Sequence, residues 1–289
     1  MISDQDVARY KEEGCILIEN VFDREQLAAS RQAIDAILAG ATGKLTHDDV
    51  YDFEPTHTPD NPRVRRIKKP HVVNALFLEL VKTPRMLAIL TKLLGPNLRL
   101  HGSKLNIKAP RYGSPVEWHQ DWAFYPHTND DILAIGVMLD DVLPDNGPML
   151  YLPGTHKGPT YDHHADGRFC GAMDPAAVAL DFKSALSATG RAGSCSFHHV
   201  RLVHGSAQNT SDRPRQLLLY ECSAADAWPL VNWSNLEEFN NRMICGEPTL
   251  EPRTTPGSIR MPYPPALNQG SIYENQAVVG RRYFEVVAN

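Results

Sequence analysis

The sequence predicts an α+β protein in which helices come first and an antiparallel β-sandwich or jelly roll follows. Three observations carry this. The apolar period is close to 3.6 residues up to about residue 97 and close to 2 from about residue 98 onward. The later apolar runs are short and are separated by clusters of Pro, Gly, Asn and Asp, the pattern of an all-β core. Helices and strands do not alternate, which excludes a parallel βαβ sheet.

Each element has its own signal. Ser3 can cap a helix with Asp4 and Asp6 in its first turn, and Gly14 stops it. Cys15-Ile16-Leu17-Ile18-Glu19 reads as a short strand. Asp23 caps a second helix, along which Leu27, Ile34, Ile37 and Leu38 recur at helical spacing as far as Gly40. Residues 41–62, rich in Thr, Asp, His and Pro, read as a polar connector, and 71–94 as a helical stretch ended by Gly95-Pro96. Strands are expected over 98–109, 133–139, 149–152, 193–203 and 217–223. Beyond 224, Trp228, Trp233 and many prolines suggest irregular covering structure. The expected organisation is one domain over 1–289: a mainly helical flank (1–97), a sandwich core (98–224) and a C-terminal covering segment (225–289).

Composition narrows the function. The chain has 289 residues, 42% hydrophobic and 22% charged, with a net charge of −5, so neither disorder nor a nucleic-acid footprint is expected. No apolar run is long enough for a membrane helix, and the opening MISDQDVARYKEEG is unlike a targeting peptide. Five scattered cysteines without C-x-x-C spacing suit reduced thiols and a cytoplasmic location. A small-molecule enzyme is the expectation, with a homo-oligomer left open.

The most informative stretch is Glu117-Trp118-His119-Gln120-Asp121-Trp122. Residues two apart in a strand share a face, so His119 and Asp121 can offer an imidazole nitrogen and a carboxylate oxygen to one point. His204, in Val203-His204-Gly205-Ser206, supplies a third ligand. Two histidines and one carboxylate leave open positions, as in non-haem Fe(II) oxygenases. Arg215, eleven residues past His204 and opening the next strand, could aim a guanidinium back at that point, where it would pair with a free carboxylate. A cosubstrate that chelates iron at one end and carries a carboxylate at the other would use both features, as 2-oxoglutarate does.

These segments, with Asp145-Asn146-Gly147-Pro148, LPGTHKG at 152–158, HGSAQNTSDRPRQ and the opening DVARYKEEGCILIENVFDREQL, resemble the phytanoyl-CoA dioxygenase family of Fe(II)/2-oxoglutarate oxygenases over residues 1 to about 225. The resemblance implies a double-stranded β-helix, the jelly roll also found in cupins, flanked by N-terminal helices. It implies that His119, Asp121 and His204 bind Fe(II) and carry catalysis. Arg215 would hold the distal carboxylate of 2-oxoglutarate, with Asn106 and Ser206 also touching it, and O₂ would take the last position. Succinate and CO₂ would be released as substrate is hydroxylated. LHGSKLNIKAP, WHQDWAFYPHTNDD, YDHH, HHVRLVHGS and ADAWPL further resemble bacterial hypophosphite and organophosphonate dioxygenases, with 2-aminoethylphosphonate as one such substrate. A tailoring hydroxylase of secondary metabolites, an acyl-CoA hydroxylase and a non-catalytic cupin-like binding module are the rival readings.

For substrate, Lys104, Asn106 and Lys108 alternate along one strand and should share a face, which suits an anion. The run Arg63-Val64-Arg65-Arg66-Ile67-Lys68-Lys69 reads either as a basic lid that brings Arg66 to the mouth or as solvated surface. Trp118, Trp122, Phe124 and Tyr125 read as pocket wall or as core. His198 shares the parity of His204, the pairs at 163–164 and 198–199 raise a second metal site, and residues 127–131 suggest Asx-type turns. Tyr273-Glu274-Asn275-Gln276 could cover the pocket or a partner subunit.

Overall fold

The Oγ of Ser3 accepts the Asp6 N–H and the Asp6 carboxylate accepts the Ser3 N–H, opening α1 (Asp4–Glu13). Gly14, at φ 80°, closes it; a Cβ there would fall 2.4 Å from the His156 ring, so only glycine fits. β1 (Cys15–Ile18) follows, then α2 (Arg24–Ala39), opened by the same reciprocal bonds between Asp23 and Gln26. The computed structural model describes residues 2–111, 113–233, 235–266 and 270–286.

The region between α2 and the core departs from expectation. The polar connector contains β2 (Tyr51–Phe53), and the basic run forms β3 (Val64–Lys68), neither a lid nor solvated surface. β3 pairs with β2 on one side and with the first core strand on the other, and Arg65 and Arg66 are buried. The expected helix over 71–94 is three: α3 (Pro70–Val73), α4 (Leu76–Val81) and α5 (Pro84–Leu94). Asn74 is extended and ends the first, while Pro84 opens the last with the φ that suits a first helical turn.

The core strands are β4 (Leu98–Lys108), β5 (Val116–His119), β6 (Ile132–Met138), β7 (Met149–Tyr151), the small hairpin β8 (His164–Ala165) and β9 (Arg168–Phe169), β10 (Leu186–Ala188), β11 (Cys195–His199), β12 (His204–Ser206) and β13 (Arg215–Ala224). The expected strand over 193–203 is therefore β11 plus a crossing turn. α6 (Leu236–Asn240), β14 (Met243–Cys245) and α7 (Ile272–Asn275) complete the chain. The larger sheet runs β1-β11-β6-β13-β4-β3-β2 with β14 also on β4, and the smaller runs β10-β7-β12-β5. Every pairing is antiparallel, and successive core strands cross repeatedly between the two sheets.

The helical flank and the larger sheet share one apolar cluster, with Ile34, Phe77, Met86 and Leu90 against Leu105, Phe197 and Tyr220. Side chains of this size each contribute about 1.5–3 kcal/mol when fully buried, which locks the helices to the outer face. Between the sheets lies a second cluster of Met138, Tyr151, Leu202, Leu217 and Leu219. No helix among the described residues is long and apolar enough to cross a membrane.

Candidate metal centre and its cavities

His119 ends β5 and His204 begins β12, and the two are cross-strand partners in the smaller sheet. Their ring centroids lie 4.0 Å apart. Strand parity does not bring in Asp121, as the sequence had suggested; β5 ends at His119 and Asp121 starts a 3-10 turn over Asp121–Ala123. The turn returns the carboxylate to the histidines, with Oδ1 3.8 Å from His119 Nε2 and Oδ2 3.9 Å from His204 Nε2. One ligand atom from each lies within 4.8 Å of the others.

The hydrogen bonds fix the tautomers. Nδ1 of His119 bonds to the Glu117 carbonyl at 2.8 Å and Nδ1 of His204 to the Leu202 carbonyl at 2.9 Å. Both Nδ1 atoms must carry the proton to donate, so both Nε2 lone pairs face the shared point, the state a metal-ligating imidazole needs. Burial lowers the His119 pKa to about 4 and that of His204 well below its usual value, so both rings are neutral. Burial works against ionising Asp121, yet the nearby Lys104 ammonium leads the opposing influences that hold the carboxyl well below the usual range. Two neutral imidazoles and an ionised carboxylate, all buried, are the donor set a divalent first-row metal takes. The Gln120 side chain locks the turn, donating to the carbonyls of Pro159 and Arg201 and accepting the Tyr161 N–H.

One cavity opens from these ligands toward β13 and is lined by Arg66, Lys104, Asn106, Lys108, Met149, Ser206, Arg215, Ile272 and Tyr273. Lys104, Asn106 and Lys108 share this face as their alternation predicts. Arg215 is buried and donates Nε and Nη2 to the Gly147 carbonyl, and burial lowers its pKa to about 10, still cationic near neutrality. Gly147 has φ 76°, and a Cβ there would meet Lys108 Cδ at 2.7 Å. The Asp145-Asn146-Gly147-Pro148 turn thus places the Gly147 carbonyl against the arginine. Lys108 is not free for substrate as expected: its ammonium donates to Ser206 Oγ at 2.8 Å and to the Ala207 carbonyl, and burial beside Arg215 pushes its pKa well down.

A second cavity adjoins the first across Asp121, Arg66, Lys104 and Ile272 and adds Lys69, His101, Ser103, Phe124, Tyr125 and Glu221. Lys104 pairs with Glu221 at 2.8 Å. Arg66 Nε donates to Asn106 Oδ1, its guanidinium stacks on Tyr273, and its buried Nη2 has no hydrogen-bond partner among the described residues. Burial and the charges of Asp121 and Glu221 keep the Tyr125 phenol protonated, with a pKa well above its usual value.

The aromatic wall resolves unevenly. Phe124 and Tyr125 line the second cavity. Trp118 points to the opposite face from His119 and packs with Phe182 and Phe284. Trp122 also turns away, to Ile132, Val200 and Ala227, because the 3-10 turn reverses the side-chain direction after Asp121. Its groove holds Arg201 and Arg260, each paired with an aspartate. Tyr273 and Ile272 do cover the pocket. His163 is structural, its Nε2 accepting the Gln120 N–H and its Nδ1 donating to Tyr161. Asn129 accepts the Asp131 N–H in the expected Asx turn. The other cluster of metal-ligand type, His47, Asp52 and Glu274, already holds the Arg65 guanidinium. Two site residues escaped the sequence reading. Glu221 is a lone carboxylate in the apolar run of β13, a signal that was legible. Gly102 makes room for it, since a Cβ there would meet Glu221 Oε2 at 2.8 Å.

A family model for phytanoyl-CoA dioxygenase matches residues 10–217. The chain belongs to the phytanoyl-CoA dioxygenase family. It is an Fe(II)- and 2-oxoglutarate-dependent dioxygenase. Among curated relatives of this family member, a probable alpha-ketoglutarate-dependent hypophosphite dioxygenase of Stutzerimonas stutzeri is 38% identical over 279 residues, covering 95% of this chain and 97% of the relative. An ectoine dioxygenase of Bordetella bronchiseptica is 30% identical, covering 74% and 73%. Among solved structures, EctD from S. alaskensis with 2-oxoglutarate and 5-hydroxyectoine matches at a TM-score of 0.64 and 25% identity, covering 78% of this chain and 77% of that one. The carbocyclase SnoK from nogalamycin biosynthesis matches at a TM-score of 0.64 and 26% identity, covering 78% and 86%.

Proposed function

We propose that His119 Nε2, Asp121 and His204 Nε2 hold Fe(II), that Arg215 holds the distal carboxylate of 2-oxoglutarate, and that the substrate is a small oxyanion of reduced phosphorus, hypophosphite or an organophosphonate. Asn106 and Ser206 flank the cosubstrate in the first cavity. Arg66, Lys104 and Tyr125 face the substrate in the second. Iron with 2-oxoglutarate and O₂ supplies an oxidising equivalent, releasing succinate and CO₂ as oxygen is delivered to substrate. The chain's own part is to keep two imidazoles neutral and one carboxylate ionised, orient two anions on opposite sides of that centre, and exclude bulk water.

The observation that carries the substrate reading is the charge around the two cavities. Arg66, Lys104 and Arg215 line the first beside the Lys108 already bonded to Ser206 and Ala207, Lys69 joins in the second, and among the described residues Glu221 is the one carboxylate besides Asp121 in either lining. With Lys104 on Glu221 and Arg215 assigned to the dicarboxylate cosubstrate, Arg66 remains, and its buried Nη2, without a hydrogen-bond partner among the described residues, is a donor awaiting an acceptor. The relative named for hypophosphite supports the same class. The strand order β11-β6-β13-β4 opposite β10-β7-β12-β5 supports a double-stranded β-helix, and the shared apolar cluster supports one domain with its helical flank.

The test is succinate formation coupled to O₂ consumption across hypophosphite, 2-aminoethylphosphonate, simple alkylphosphonates, ectoine and an acyl-CoA. Stimulation by a phosphorus oxyanion is expected. Turnover of ectoine or the thioester with none of the phosphorus compounds would overturn the substrate reading, and turnover by Asp121→Ala would overturn the ligand assignment.

A further inference from the structure

His198 stands in the centre with no role in the scheme above. It lies on β11, fully buried, and its ring is 4.4 Å from His204 and 5.0 Å from Tyr151. Tyr151 is itself tethered, its hydroxyl donating to Ser196 Oγ at 3.0 Å. Neither ring nitrogen of His198 has a hydrogen-bond partner among the described residues. The acceptor that faces it is Asp121, with Oδ2 3.5 Å from Nε2, at the outer edge of hydrogen-bond range. A buried polar group left without a partner is destabilising. An apolar side chain would fill the slot without that penalty, so the imidazole calls for a compensating interaction.

We infer that His198 is a positioning residue for the metal carboxylate: its Nε2–H holds Asp121 Oδ2, so that Asp121 presents its other oxygen, the one nearer His119, to the metal. This rests on the metal-centre reading above. The carboxylate is then oriented from two sides, by the turn that carries it and by an imidazole from the opposite sheet. Outer partners of this kind typically contribute 10- to 100-fold to metal affinity.

The experiment measures Co(II) and anaerobic Fe(II) binding by titration calorimetry, with the Co(II) absorption spectrum, in the full-length wild type and in His198→Leu, His198→Gln and His119→Ala. Far-UV circular dichroism checks that each variant folds. His198→Leu removes the donor and should weaken binding roughly 10- to 100-fold and alter the Co(II) bands. His198→Gln returns an N–H donor and should recover most of the affinity and the wild-type bands. Wild-type affinity in His198→Leu, or a Gln variant as weak as the Leu variant, overturns the inference while leaving the metal centre intact. Unchanged binding by His119→Ala would instead sink the metal-centre reading, and this inference with it.

Discussion

Lys108 and Arg215 are cross-strand partners on β4 and β13, yet the structure gives these two cations opposite duties. Lys108 directs its ammonium at Ser206 and the Ala207 carbonyl, bracing the strand that carries His204. Arg215 is anchored on Gly147 and lines the cavity. A hydrogen bond to a charged group is worth about 1.5–3 kcal/mol, so Arg215→Ala should raise the KM for 2-oxoglutarate roughly 10- to 100-fold. The substrate KM should move far less, and steady-state kinetics with each varied in turn would show it. Arg66→Gln should do the reverse, raising the substrate KM more than that for 2-oxoglutarate. Equal effects from either variant would contradict the division of the cavities. Trp118→Ala should cost about 3–5 kcal/mol in denaturant unfolding and alter neither KM selectively, because the ring belongs to the core behind His119.

Among the elements, the short helix α7 is the one that closes the site, through Ile272 and Tyr273. Two contacts hold it there. Glu274 pairs with Arg65 at 2.5 Å while also accepting the Ser271 N–H, and the Arg65 and Arg66 guanidiniums stack on Tyr273. Glu274→Gln removes one of the two carboxylates paired with buried Arg65, the one carried by α7, so α7 should loosen by about 1–3 kcal/mol. Faster hydrogen exchange over 270–278 and a raised substrate KM with unchanged metal affinity are the expected signs. Protection equal to wild type would show that the Glu274–Arg65 pair does not hold the cover. The caps of α1 and α2 and the strands β4, β6, β7, β11 and β13 were legible because their signals are local: a capping residue, a glycine, a short apolar run between turn residues; β8, β9, β10 and β12, only two or three residues long, were not. β3 was not, because the charge of Arg65 is answered by Asp52 and Glu274, the second of which lies at the far end of the chain. A basic run reads as surface until its counter-charges are seen.

Across the whole molecule, buried neutral histidines set the response to acid. Burial holds His163 at about 4 and His127 at about 3, each far below the ordinary 6.5. The unfolded chain protonates these rings below about pH 6.5 and the folded chain does not, so their stabilisation is complete above that pH and is lost as pH falls toward 4. Each contributes a slope of about 1.4 kcal/mol per pH unit within that window. The melting temperature of the metal-free protein should drop steadily from pH 6.5 to 4. A flat profile there would mean that these rings are charged in the fold.

The sequence by itself determined the α+β class, the first two helices with their caps, the three metal-ligand candidates and the arginine, because each depends on residue type at short spacing. Tertiary structure alone decided that Asp121 reaches the centre through a turn, that Trp118 and Trp122 face away from it, that Lys108 is a brace, and that Glu221 pairs with Lys104 beside the site. Those outcomes depend on which strands become neighbours and in what register, and register is set by the summed burial of distant apolar faces, which no single segment of the chain contains.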